Sequence, residues 1–157
     1  MIPAELNTDD LASQLAGDGI AFETQNPANP ALETHLADTV SSLGSSDLGI
    51  AVLETTPQQL ADLRDVAQVL HDATGYETVI VRAPGGVGAV SGDLPRAAVE
   101  SGQRALLAEP DYGAGVRAFV EAAEAQSVQW VPAGAGSLVL LALVGALAWF
   151  MTRGGVK

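Results

Sequence analysis

Residues 48–81 read LGIAVLETTPQQLADLRDVAQVLHDATGYETVIV, and the fold turns on them. Leu48 to Leu53 is a short apolar run without polar alternation. Its length and its β-branched members predict a strand buried on both faces. Thr56, Pro57 and then Gln59, three residues after the threonine, match a capping box at a helix start. Leu60, Leu63, Ala67 and Leu70 recur at helical spacing as an inner stripe, and Gly75 is the stop. Thr78 to Val81 is a second buried strand. Two buried strands joined by a helix of about 18 residues should run parallel, with a right-handed crossover.

Working outward, Thr8 can cap a short helix with Asp9 and Asp10 in its first turn, where the helix dipole favours anions. Leu11 and Leu15 would share its inner face, and Gly17 or Gly19 would end it. Asn29 and Pro30 suit the cap and first position of a second helix, with Leu32, Leu36, Val40 and Leu43 on one side and Gly44 as its stop. After the second strand, Gly85 to Gly92 reads as a glycine-rich loop that could include a third short strand. Asp93 can cap a helix from near Pro95 to about Leu107. Glu109-Pro110-Asp111 breaks the chain. A last helix over Tyr112 to Ala125 would bury Val116, Phe119, Val120 and Ala123. The expectation is an α/β domain over residues 1–126, with its core in 29–126. It would be a two- or three-layer unit containing β-α-β and several helices.

From Val131 to Met151 there are 21 residues without a charge. At about 1.5 Å per residue they would cross the roughly 30 Å hydrocarbon core of a bilayer as a helix. Trp130 and Trp149 bracket the run and suit the two membrane interfaces, with Arg153 and Lys157 just beyond. These four residues are the expected interface anchors, residues 127–130 a short neck, and 152–157 a basic tail. Ala142 and Ala146 form a small-xxx-small pair through which two such spans could approach as a homodimer. The flanking bases place the C-terminus in the cytoplasm and the domain outside. Against this, the first 30 residues lack the basic start and apolar run of a signal peptide. A tail anchor with a cytoplasmic domain is the alternative.

The charge is lopsided. All 19 acidic residues lie between Glu5 and Glu124, where only Arg64, Arg82, Arg96, Arg104 and Arg117 oppose them, a formal −14. Such a domain repels phosphate backbones, so nucleic acid is not an expected partner. With no cysteine there is no disulfide, thiolate nucleophile or thiolate-bound metal. Redox compartment is not readable from that.

No catalytic, cofactor or metal residue is assigned. Gly86-Val-Gly88-Ala-Val-Ser-Gly92 has the wrong spacing for a dinucleotide fingerprint, no lysine follows it, and Asp93 at the next helix start would repel phosphate. His35 has only Asp38 at helical reach, and His71 sits beside Leu70 on the exposed side. Ser101 lacks the leading glycine of a nucleophile elbow. The only lysine is Lys157. Asp9-Asp10 and the Asp62, Asp65 pair could hold a cation weakly, but carboxylates on a helix surface are ordinarily just solvated.

The order of elements carries a resemblance: strand, helix ending in Thr74-Gly75-Tyr76-Glu77-Thr78-Val79, second strand, glycine-rich link, helices, then a C-terminal span. It resembles the TPM-type domain, a small α/β domain usually outside the cytoplasmic membrane and often followed by one span. Leu94-Pro95-Arg96-Ala97-Ala98-Val99-Glu100-Ser101-Gly102 and the overall length resemble a group of uncharacterised single-span membrane proteins of actinobacteria, the Rv1476-like membrane proteins. The likeness covers about Leu48 to Arg153. It implies an extracytoplasmic domain of the cell envelope. Phosphatase activity and calcium binding have been proposed for some TPM domains through acidic clusters. The chain shows no such cluster at its strand ends, so neither is carried to any residue. Two classes follow: a membrane-anchored, non-catalytic envelope adaptor that docks a partner protein, or a divergent phosphatase-like hydrolase using carboxylates and a divalent cation.

Overall fold

The computed structural model describes residues 6–45 and 47–128. The element order is α1 (Thr8–Asp18), β1 (Ile20–Phe22), α2 (Asn29–Leu43), β2 (Leu48–Val52), α3 (Ala61–Thr74), β3 (Thr78–Ala83), β4 (Gly86–Ser91), α4 (Arg96–Ala108) and α5 (Tyr112–Val128). The sheet order is β1-β2-β3-β4. The first three strands are parallel, and β4 returns antiparallel against β3.

The expected core unit is there. β2 is buried at all five positions, and β3 pairs with it in parallel from Leu48↔Thr78 to Val52↔Arg82. Alternation across the pleat then sorts the interior into two layers. Ile20, Phe22, Leu48, Ile50, Val52, Ile80 and Ala89 face α2, α4 and α5, which contribute Leu36, Leu106, Val116 and Phe119. Ala21, Ala51, Val79 and Val81 face α1 and α3, which contribute Leu11, Leu15, Leu63, Val66 and Leu70. The domain is thus a three-layer α/β/α unit. The expected core of 29–126 is too short, since α1 and β1 are fully part of it.

Several boundaries differ from expectation, each for a local reason. Asn7, not Thr8, caps α1: its Oδ1 accepts from the Asp10 amide at 3.1 Å. Gly19 ends that helix in the left-handed region, φ 82°. Asn29 is already helical, and its side chain donates back to the Thr24 carbonyl instead of capping. The capping box at Thr56 is not used. The Thr56 hydroxyl instead accepts from the Gly85 amide at 2.9 Å, and α3 starts only at Ala61. Leu60 is consequently 55% exposed, and Val66 takes its place in the buried stripe. Gly75 stops α3 at φ 75° as expected. Within the glycine-rich stretch, residues 86–91 form the short strand that the loop reading allowed for. Asp93 does not cap α4: Pro95 stands extended before Arg96. Residues 127 and 128, expected in a neck, continue α5.

The step from β1 to β2 and the step from β2 to β3 move the same way across the sheet. Yet α2 packs on one face and α3 on the other. The two crossovers therefore have opposite hands, and one of them departs from the right-handed rule. A functional consequence follows. The chain leaving the carboxyl end of β1 turns to one face and the chain leaving β2 turns to the other, which opens a crevice between them.

The outer edge of β1 is closed by a side chain. The Gln14 carboxamide accepts from the Phe22 amide at 3.0 Å and donates to the Phe22 carbonyl at 3.2 Å. Asp18 accepts from the Ile20 amide. Together they fill the place of a neighbouring strand and remove a template for unwanted pairing.

Candidate functional site

The crevice at the carboxyl ends of β1 and β2 holds two carboxylates. Glu23 follows β1, and its oxygens accept from the Glu54 amide at 2.7 Å, the Thr55 amide at 3.1 Å and the Thr55 hydroxyl at 2.8 Å. Glu54 follows β2 and accepts from the Asn26 side-chain amide at 2.8 Å. That bond first, and one from Thr24 second, hold the Glu54 carboxyl below the usual range. A groove of about 400 Å³ lies between these loops, lined by Phe22, Asn26, Leu32, Glu54, Pro84 and Tyr112 among others.

Beside it, a network fixes the start of α5. The Arg82 guanidinium stands 4.1 Å from the Tyr112 ring centroid and donates to the Glu109 carbonyl at 2.7 Å. It thereby covers the carboxyl end of α4 with positive charge, the favoured sign there. Asp111 Oδ1 accepts from the Ala114 amide at 2.7 Å and lies 3.3 Å from His35 Nε2. His35 thus finds its acid 76 residues away, not at Asp38. The buried Thr39 hydroxyl donates to the His35 carbonyl and accepts from Arg117. Gly113 allows the close approach of α2 and α5: a Cβ there would overlap His35 and stand 2.8 Å from Thr39 Oγ1.

The Ala114 amide first, and His35 second, hold the Asp111 carboxyl below its ordinary value. A carboxyl lowered by folding contributes stability that is present above its unfolded pKa, about 4, and is lost as pH falls through the lower folded value. Asp111→Asn keeps an oxygen for Ala114 but removes the charge. Thermal melts should show the variant less stable than the parent at pH 6, with the gap closing as pH falls through the lowered folded value. A gap that persists unchanged at acid pH would refute this role.

The opposite pole, at the amino ends of β2 and β3, carries an acidic mouth. Asp47, Glu77, Asp93 and Glu124 rim a cleft of about 280 Å³ whose floor is Leu48, Leu94, Phe119 and Val120. No arginine lines it. Sequence reading missed this grouping because three of its acids come from three separate connections and the fourth, Glu124, from α5. α5 runs to this pole, so the chain leaves the described domain there.

The remaining candidates stay apart. His71 is half-buried, not on the exposed side, with Nδ1 3.3 Å from Asp72. Its bond is the main cause holding the Asp72 carboxyl down. Glu33 is pushed up by its bond to Asp18 and by that residue's charge. Gly86, Gly88 and Gly92 belong to a strand and its end, not to a phosphate-binding turn. Among the described residues no group of three or more His, Asp or Glu is placed to hold a metal ion. No helix among them is long and apolar enough to cross a membrane. The expected span 131–151 and the anchors Trp130, Trp149, Arg153 and Lys157 lie outside the described residues.

A family model described as Membrane protein Rv1476 matches residues 1–156. The chain belongs to that family of membrane proteins. No curated protein and no solved structure matches it.

Proposed function

We propose that this member of the Rv1476 membrane protein family is a single-span adaptor whose domain docks a basic segment of a partner beside the bilayer. The acidic mouth carries this reading. Four carboxylates surround an apolar floor, the chemistry that receives an apolar anchor flanked by lysine or arginine. α5 ends at the same pole, and the uncharged run begins three residues after Val128. With 131–151 as the span, the mouth faces the membrane and the Glu23–Glu54 crevice faces away. The bases after the run support an extracytoplasmic domain, and the resemblance read from the sequence to TPM-type domains points the same way. A hydrolase at the crevice would draw on Glu23 and Glu54. The bonds they already make tie the two crevice loops together, which favours the adaptor.

The test uses the full chain in nanodiscs of neutral lipid and a synthetic peptide of alternating leucine and lysine. The peptide should bind, weaken with added salt, and lose about tenfold or more on combined Asp47→Asn, Glu77→Gln and Asp93→Asn changes, each lost charge contact being of order 0.5–1 kcal/mol. Glu23→Gln should leave binding intact. Binding indifferent to the triple change would sink the proposal. So would metal-dependent phosphoester turnover abolished by Glu23→Gln or Glu54→Gln. An alkaline-phosphatase-type reporter that is inactive when fused at the N-terminus would overturn the outside placement.

A further inference from the structure

The acidic mouth is not a closed bowl. Gly44, Ser45 and Leu48, which help to form it, also line a second cleft of about 360 Å³ on the other side of the α2 end. That cleft runs between α2, which gives Ala37, Val40 and Ser41, and the turn from α1 into β1, which gives Asp18, Gly19 and Ile20. Apolar side chains remain within reach in both. Leu94 and Val120 in the mouth and Val40 in the second cleft are only partly buried, and Ala37 is exposed. The two clefts meet at one ridge, where exposed Gly44 ends α2 in the left-handed region, φ 65°.

The charge around the pair is of one sign. Asp47, Glu77, Asp93 and Glu124 rim the mouth, and Asp18 stands in the second cleft. Among the described residues no arginine, lysine or histidine lines either one. Glu33 lies close enough to Asp18 for its carboxyl to be pushed up, first by their bond and then by the Asp18 charge, the response of two acids crowded together. The ridge is negative as well. A helix end leaves carbonyls without partners in the helix, and the dipole puts a partial negative charge there. α2 has no base in its last turn to balance this. Neither has α1, which ends at Asp18, nor α5, whose Ala123 and Glu124 line the mouth. The surface therefore presents an apolar cleft, a negative ridge and a second apolar cleft, in that order.

We infer that the partner's segment carries two apolar anchors with a lysine or arginine between them. One anchor enters the mouth over Leu94 and Val120, and the other enters the second cleft over Ala37 and Val40. The base lies across the ridge at Gly44, where the last carbonyls of α2 accept from it. This deepens the docking role proposed above and rests on it: the rim acids supply the attraction, and the order of groups supplies the choice. A segment with its base outside both anchors would still meet the rim, but it would lay apolar atoms over the carbonyls of the ridge and leave them unsatisfied. An acyl chain would fill the clefts without answering the ridge. A second copy of the domain would bring a formal −14 to an acidic pole.

The experiment uses the full chain in nanodiscs of neutral lipid and end-capped peptides of leucine and lysine spaced by glycine, with affinities read from chemical-shift titration. The first peptide has its lysine between two leucines. The second has the same composition with the lysine outside both, and the third keeps one leucine and the lysine. The first should bind about threefold or more tighter than the second, the effect of one charge contact at a helix end. Ala37→Lys, at an exposed position of α2, should obstruct the second cleft and weaken the first peptide to the level of the third. The third should bind that variant nearly as it binds the parent, which shows the mouth intact. Ser41→Lys puts a base in the last turn of α2, where it is favourable for the fold, and should remove the difference between the two orders. Equal binding of both orders by the parent, with both still weakened by the combined Asp47, Glu77 and Asp93 changes, would overturn this inference and leave the docking role standing. Absence of binding by all three peptides would overturn both. Contacts between lipid chains and the Val40 methyl groups that no peptide displaces would give the second cleft to lipid and overturn the inference as well.

Discussion

Gly88→Ala is expected to cost the domain about 3 kcal/mol or more, at or above the usual range for overpacking a core. The reason is backbone against backbone. Gly88 pairs with Val81 in the middle of β4, and its missing side chain would point at α3. A Cβ there would overlap the Leu63 carbonyl group and stand 2.5 Å from the Arg64 nitrogen. No rotamer relieves that overlap, so the helix itself must lift. Leu63, Val66, Ala67 and Leu70 are all fully buried and would lift with it. Two other glycines grade the effect. At Gly86 the nearest obstacle is the tip of the Leu60 side chain at 2.7 Å, which can swing aside, so Gly86→Ala should be milder. At Gly17, on the exposed face of α1, a methyl group meets nothing within 4 Å, and Gly17→Ala should gain about 0.5–1 kcal/mol from helix propensity. Urea unfolding of the detergent-solubilised full chain ranks the three. Gly88→Ala within about 1 kcal/mol of the parent would show that α3 does not sit on β4 as closely as the structure has it.

That glycine also explains what could and could not be read beforehand. β2, α3 and β3 were legible because their apolar residues fall into unbroken runs or one helical stripe, and because Gly75 stands where a helix must stop. β4 was not. Its glycines resemble a loop in isolation, and they are there because α3 leaves no room for a Cβ, a fact of tertiary packing. β1 was missed for a different reason. Three residues carry no period, and the strand is held by pairing with β2 and by Gln14, eight residues before Phe22. The start of α3 was misplaced because a capping box competes with other uses of its threonine, and Thr56 serves the β3–β4 turn instead. Candidate sites were harder still. Glu23 and Thr55 are 32 positions apart, and His35 and Asp111 are 76 apart. Nothing in a single chain read linearly marks these meetings.

The second large effect is expected at Phe119, the largest fully buried side chain of the core at 1% exposure. Phe119→Ala should cost about 3–5 kcal/mol, combining lost transfer energy with a cavity that α4 and α5 can only partly close. With typical domains stable by roughly 5–15 kcal/mol, that would leave the protein near its unfolding midpoint under mild denaturant. The partner of Phe119 is Gly102 on α4. A Cβ at Gly102 would lie 2.7 Å from the Phe119 ring and 2.9 Å from the Phe119 carbonyl oxygen. Gly102→Ala alone should therefore cost about 1–3 kcal/mol by overpacking. Combined with Phe119→Ala, the added methyl group enters the vacated space, so the double variant should be less damaged than the two single costs added together. The relief stays incomplete, because the clash with the carbonyl oxygen remains when the ring is gone. Such coupling is the signature of direct contact. Strict additivity in urea unfolding would mean that α4 and α5 do not meet ring against glycine. Phe119 also floors the acidic mouth, so the same series separates two effects. Phe119→Leu, a smaller change, should keep the domain folded with a loss below about 1.5 kcal/mol. Any loss of binding to the leucine–lysine peptide in that variant then reports the shape of the floor, since the four carboxylates of the rim are unchanged.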